Sequence, residues 1–379
     1  MKKKQLKKLM LTILLTCSFT LMSACDSNAV SDNDVSQNTN VALETGVDMD
    51  QVLFSLEDID ITLEETYIYL IQYLFNNSVK AEDITDEQFA QIVSATVEEM
   101  KVENVEYKLA KVTEGVDVSE NDLTSAGNTG NYFYEYFGKA FFDKYGIDKN
   151  KVDEMFEKQV YIEKLKTKAL SDATEDYTND YNKQYAELPF FSVYYVLFPS
   201  VKYDEEGNPI QKADGSAETY TDEEMQEQLS KANELREKAI QNVNEGIAGG
   251  KLEELAKEYG VDSASGIEHN FKGAYNDELN SVIEGLKDGD ISEVIKTEAG
   301  YMIVRMDNAD DKEFKEYSIK YMAQQSAETF YPKLQESWLS ASGAQNIQVD
   351  TSKISKDLLI EICQEMNDKG FSITGGTNG

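Results

Sequence analysis

The sequence predicts an α+β protein: helices first, then a stretch containing strands, then helices again. Three observations point there. Before residue 188, apolar residues recur at helical spacing behind T-x-x-E/Q capping boxes at residues 62–65 and 85–88. Two runs of β formers follow, residues 190–198 and 301–306, with helical patterns between them. From Lys312 onward the apolar period is helical once more.

The N-terminus reads as targeting sequence. Lys2, Lys3, Lys4, Lys7 and Lys8 precede an apolar run over residues 9–21, the charged and hydrophobic regions of a secretory signal. The run is shorter than the roughly 20 residues a membrane span needs. Met22-Ser23-Ala24-Cys25 then resembles the lipobox of bacterial lipoproteins, which makes residues 1–24 a lipoprotein signal peptide and Cys25 the lipidation site. Residues 25–45, rich in Ser, Asn and Asp without any period, read as a lipidated, disordered tether. Of three cysteines, Cys17 leaves with the signal and Cys25 is lipidated, so Cys363 has no disulfide partner. Its neighbours Leu359, Ile362 and Met366 share a helix face with it, as for a buried structural thiol.

The 379 residues carry 36 Lys and Arg against 71 Asp and Glu, a net charge of −35. Loss of the signal removes five lysines and no acid, which takes the mature chain to −40. That surface is suited to solvation and excludes nucleic acid as a partner, since phosphates need clustered cations.

Residues 46–188 form the first helical region. The box at Thr62 opens a helix with Tyr67, Leu70, Ile71, Leu74 and Phe75 inward, and the box at Thr85 one with Phe89, Ile92, Val93, Val97 and Met100 inward. Eight aromatic residues then crowd into residues 132–145, which suits either an ordinary core or a groove for unfolded apolar segments. A long helix is expected over residues 150–170. After Pro189, residues 190–198 are nearly all β formers, as for a central strand, and residues 200–221 carry turn signals of a hairpin or mobile loop. Thr221 and Glu224 cap a helix whose inward residues run from Met225 and Leu229 to Val243; a shorter helix stops at Gly260. Residues 265–273 read as irregular. Lys312 to Ser342 is helical with a break or kink at Pro332, and a last amphipathic helix covers residues 355–367.

The most specific stretch is residues 286–306, LKDGDISEVIKTEAGYMIVRM. Leu286, Lys287, Gly289, Ile291, Ser292, Thr297, Gly300, Tyr301 and Ile303 fall in order on the closing pattern of parvulin-type peptidyl-prolyl isomerases, so residues 189–307 resemble a parvulin domain. The order of signal, helical region, parvulin-like domain and closing helices is similar to that of PrsA-type foldase lipoproteins and SurA. That resemblance implies a mainly helical chaperone body made jointly by residues 46–188 and 308–379, with the parvulin-like domain, a small antiparallel sheet flanked by helices, inserted in it.

What the resemblance implies about chemistry is mixed. The two histidine positions of parvulin catalysis correspond to Tyr195 and Met302, the acidic or thiol position to Asp262, and the apolar residues of the proline cup to Tyr275 and Leu279. The only histidine, His269, lies outside the pattern and reads as a surface residue. No cofactor, metal or nucleophile is implied. The expected partners are unfolded or newly exported polypeptides, met at the extracytoplasmic face of a bacterial membrane through the anchor on Cys25. Two functions follow: isomerisation of prolyl bonds beside chaperone activity, or a chaperone whose parvulin domain is only a scaffold or peptide-binding module. Asp204, Glu205, Glu206, Asp214 and Glu218 outnumber Lys202 and Lys212 after the first strand, so no phosphate-dependent recognition is expected. A solute-binding lipoprotein is excluded by the lack of alternating β-α units.

Overall fold

The computed structural model describes residues 46–371, apart from Asp58 and residues 205–207. The signal peptide, Cys25 and the tether lie outside the described residues. Two compact units emerge: one runs to Ala169 and resumes at Tyr331, the other is Leu170–Phe330. No helix among the described residues is long and apolar enough to cross a membrane. The architecture is α+β, with N- and C-terminal segments sharing one helical unit around an inserted sheet unit.

The helical unit begins with a hairpin of β1 (Val52–Leu56) and β2 (Ile59–Thr62). Helix α1 (Leu63–Asn76) starts where the Thr62 hydroxyl accepts the Glu65 N–H, and Thr85 caps α2 (Asp86–Val112) in the same way. Helix α2 outruns its expected stretch because Val105 and Ala110 continue the buried stripe. Helices α3 (Glu120–Phe137) and α4 (Lys139–Tyr145) hold the aromatic residues, and α5 spans Lys149–Gln184. Phe133, Tyr134, Phe137, Phe141, Phe142 and Tyr145 are buried against one another, with Tyr134 stacked on Phe142 at 4.8 Å. Most of the cluster is therefore core, and Tyr132, 67% exposed, points away from it.

Helix α10 (Lys356–Asp368) completes this core with Leu358, Leu359, Ile362, Cys363 and Met366. Its entry is fixed by the Ser355 N–H donating to the Tyr67 hydroxyl at 2.9 Å. Its exit is fixed by the Asn367 amide, which donates to the Val79 carbonyl at 3.0 Å and accepts the Ala81 N–H at 2.9 Å. Cys363 is buried beside the Val79 carbonyl, and burial pushes its thiol up to about 11, so it is an inert structural residue. On α2, burial, with the neighbouring Glu99 charge behind it, pushes the Glu103 carboxyl up to about 8, although the Tyr69 hydroxyl donates to it at 2.6 Å.

One helix is longer than its sequence suggests, and another is unbroken where a break or kink is expected. Helix α5 continues beyond residue 170 because Tyr177, Tyr181 and Tyr185, spaced i, i+4, i+8, stack ring on ring at 6.3 and 6.0 Å; the Tyr181 hydroxyl also meets the Ser326 hydroxyl at 2.8 Å. Helix α9 (Lys312–Ser342) passes through Pro332 instead of ending there. Proline removes one backbone bond, and packing continues past it, with Tyr331 buried just before and Trp338 and Leu339 half-buried against the core after.

The sheet unit is built on four antiparallel strands in the order β4-β3-β6-β5: β3 Phe190–Pro199, β4 Gly266–Phe271, β5 Ile295–Thr297 and β6 Gly300–Asn308. The expected central strand is central. Residues 200–221 form a hairpin excursion through the bridges Val201 to Thr219 and Gln211 to Ala217. Helix α6 (Asp222–Asn244) carries the full reciprocal capping box of Thr221 and Glu224. It buries Ala232, Leu235 and Ala239, but Val243, expected inside, is 39% exposed because the last turn runs past the residues that meet the sheet. Helix α7 (Leu252–Glu258) ends before Gly260 at φ +68°, and α8 (Asp277–Ile283) follows β4. Residues 265–273 correct their irregular reading: they contain β4, whose pairing with β3 from Phe190–Phe271 to Tyr195–Gly266 supplies the order that local sequence does not. His269 is therefore a strand residue, half-exposed, stacked on Phe314 at 4.9 Å.

The motif residues of 286–306 strap this stretch along β6. The Gly289 N–H donates to the Met306 carbonyl at 2.7 Å, and the Met306 N–H to the Asp290 carbonyl at 3.0 Å. Ser292 is buried because its hydroxyl accepts the Val304 N–H at 2.9 Å and donates to the Glu293 carbonyl at 2.7 Å. Thr297 closes the β5–β6 turn by donating to the Gly300 carbonyl at 3.0 Å. Gly300 sits at φ +138°, where a Cβ would collide with the Phe198 carbonyl.

Candidate functional site

Alternation along β3 divides the sheet into two faces. Tyr194, Val196 and Phe198 point to the side covered by α6 and α7, joined there by Tyr301 and Ile303 of β6. Phe191, Val193 and Tyr195 point the other way with Met302, Val304 and Met306 of β6 and Ile295 of β5, and only the short helix α8 covers them. Leu279 and Ile283 of α8 fill the middle of this second face. Tyr195, Tyr275 and Met302 pack at its margin and stay half-buried.

Four of the five residues expected at a site thus meet on one face. Register places Tyr195 across from Val304 and Leu197 across from Met302, so Tyr195 and Met302 lie on the same side, one pair apart along the ladder. The Tyr195 hydroxyl reaches toward β4, where Gly266 offers no side chain to displace it. Tyr275 is set by Asn280, whose amide accepts the Tyr275 N–H at 3.3 Å and donates to its carbonyl, and α8 is started by Asn276, which accepts the Leu279 N–H at 3.0 Å. Asp262 is exposed. It opens a 3-10 turn ahead of β4, and its charge is felt at Tyr194, on the covered side.

Two polar residues on this face were missed by sequence reasoning. Glu268 and Asn270 of β4 pair with Val193 and Phe191 and share their side of the sheet. The period-two pattern of residues 266–271, with Gly, Glu and Asn alternating against Ile, His and Phe, carried the signal. The Tyr275 hydroxyl is buried without a hydrogen-bond partner, and burial, reinforced by the Glu268 carboxylate, raises it well above the ordinary phenol value. The chemistry available is that of an apolar cup with hydroxyl, amide and carboxylate groups at its rim. No group of three or more metal-ligating side chains exists among the described residues.

No curated protein matches the chain. Over its length the chain is similar to solved foldases: PrsA of Lactococcus lactis (TM-score 0.39, 13% identity, covering 85% of this chain and 99% of that one) and PrsA of Streptococcus pneumoniae (TM-score 0.30, 16% identity, 82% and 99%). A peptidylprolyl isomerase PrsA of Bacillus cereus is similar at TM-score 0.28 and 15% identity, covering 83% and 99%. Residues 216–318 match the family described as PPIC-type PPIASE domain. That match takes in α6 to α8, β4 to β6 and the motif stretch, and the sheet unit of this protein is accordingly a parvulin-type domain.

Proposed function

We propose that the protein is a membrane-tethered extracytoplasmic foldase. It assists newly exported polypeptides through its helical unit and through peptide binding on the open face of its parvulin-type domain. The observation that carries this reading is that face: an apolar surface, half-covered by α8, in a domain whose family acts on prolyl bonds. The lipid anchor on Cys25 and the extracytoplasmic location rest on the sequence of residues 1–25 alone.

Prolyl isomerisation asks for little chemistry. Rotation of the amide faces a barrier of about 18–20 kcal/mol because resonance is lost. The twisted amide is less polar than the planar one, so an apolar cup that holds the proline ring lowers that barrier. Leu279, Met302, Tyr195 and Tyr275 supply such a cup. Asp262 enters the proposal through the resemblance only. Lys202 is already engaged by Glu218 at 3.3 Å and Glu224 at 3.0 Å, which supports phosphate-independent recognition.

A second reading is favoured by one observation: Tyr195 and Met302 occupy the positions where parvulins carry histidine, so the domain binds peptides without turning them over. A proline-limited refolding assay on residues 26–379, run beside an aggregation assay with a permanently unfolded client, separates the two. Catalysis predicts an accelerated proline phase that Leu279→Ala weakens; suppression of aggregation without that acceleration leaves the binding module. Failure of both assays defeats the foldase reading.

A further inference from the structure

The open face carries an electrostatic feature that an apolar proline cup does not need. Among its inward strand positions, Glu268 is the one charged side chain: its companions are Phe191, Val193 and Tyr195 on β3, Gly266 and Asn270 on β4, and Met302, Val304 and Met306 on β6. Two cations of the sheet unit are engaged away from it. Arg305 points to the covered side, held by Asp307 and Glu253, and Lys272 pairs with Glu284 at 3.2 Å. No cation pairs with Glu268 among the described residues; its contact is the Asn270 amide at a long 3.4 Å. Beside it lies the Tyr275 hydroxyl, buried and unpartnered.

The Tyr275 hydroxyl has one proton to give and the Asn270 amide reaches Glu268 only at 3.4 Å, so these neutral donors leave the carboxylate with acceptor positions to spare and its charge unbalanced. A half-buried carboxylate without a partner costs free energy, and so does a buried hydroxyl. The group that satisfies both at once is a donor-rich cation, and ammonium and guanidinium have donors and no acceptors. Tyr195 and Tyr275 are half-buried on the same face, and aromatic rings there can add attraction for such a cation. We propose that Glu268 and Tyr275 form a subsite that takes a lysine or arginine side chain next to the bound proline, so that the open face selects basic proline-containing segments of its clients. This rests on the reading of that face as the peptide site, and it names the class of segment bound there.

The test uses the mature chain and short unstructured fluorescent peptides holding one proline flanked on both sides by Lys, Gln or Glu. Anisotropy titrations should rank Lys over Gln over Glu, with the Lys peptide bound about three- to tenfold more tightly than the Gln peptide, a range set by the worth of a partly exposed ion pair and a charged hydrogen bond. Raising the salt to molar levels should shrink the spread. Glu268→Gln should reduce it to under about twofold, and Tyr275→Phe should weaken the Lys peptide alone. Glu227→Gln, which removes an equal charge from the exposed side of α6, should leave the ranking intact. Equal binding of the three peptides overturns the subsite while leaving the peptide-binding face standing, as does a Glu227→Gln effect equal to that of Glu268→Gln, since the preference then belongs to the field of the whole acidic chain. Binding of none of them overturns the peptide site and the subsite with it.

Discussion

The two faces of the four-stranded sheet are made from the same strands and treated in opposite ways. On one, Val196, Phe198 and Ile303 are fully buried under Leu235, Ala239, Leu252 and Ala256, and Arg305 ties down the rim by reaching Glu253 at 2.7 Å, Asp307 at 2.5 Å and the Gly249 carbonyl at 3.2 Å. On the other, a seven-residue helix covers the centre and leaves Tyr195, Tyr275 and Met302 half out. The first face stabilises the unit, and the second keeps apolar surface accessible. The peptide binding proposed for this domain needs both: a rigid sheet, and a side of it that its own helices do not finish.

This contrast can be broken from the covered side. Phe198→Ala empties a fully buried ring site and should cost about 3–5 kcal/mol, enough to unfold the sheet unit, seen as loss of hydrogen-exchange protection over β3 and β6. Arg305→Ala leaves Glu253 and Asp307 facing each other without their shared cation and should cost about 1–3 kcal/mol in the same measurement. A protected β3 in either variant would mean that the covered face is not the stabilising one.

Charge burial in the helical unit gives a third comparison. The Glu103 carboxyl is pushed up to about 8 in the fold, above its ordinary 4.5, so the folded state holds a proton that the unfolded chain has released between those values. Its contribution is present below pH 4.5 and is lost as pH rises through 8. Thermal unfolding should therefore occur at lower temperature at pH 8.5 than at pH 5.5, and Glu103→Gln should flatten that dependence. An unchanged slope in the variant assigns it to other groups. The smallest effect belongs to the open face: Tyr195→His with Met302→His should change stability by under about 1 kcal/mol, both side chains being half-exposed. If missing histidines are what limits turnover, the same double variant accelerates proline-limited refolding; if it does not, the cup itself sets the rate.

Much of the sheet unit was legible because its signals are local. The capping box at Thr221 lies within four residues, and Gly289, Ser292, Thr297 and Gly300 each answer a backbone need next to them in the chain. What was not legible depends on distant partners. Strand β4 exists because β3 pairs with it, so Glu268 and Asn270 stayed hidden in what read as an irregular loop. Helix α5 extends because three tyrosines stack, and α9 outlasts Pro332 because Tyr331 before it and Trp338 and Leu339 after it pack against the core. Of the expected site residues, Tyr195, Met302, Tyr275 and Leu279 share a face through strand alternation and α8, while Asp262 lies in the 3-10 turn ahead of β4.

The split composition of the helical unit would set an order of events during the export proposed for this chain. Its core needs Leu359, Ile362 and Met366 of α10 against Tyr67, Leu70 and Ile71 of α1, residues from opposite ends of the chain. The sheet unit, by contrast, is one continuous stretch, Leu170–Phe330. A chain emerging from the translocation channel N-terminus first can close the sheet unit while the helical unit still waits for its last helix. During that interval the apolar faces of α1 to α4 stand open to solvent, and the protein is briefly in the same condition as the clients proposed for it.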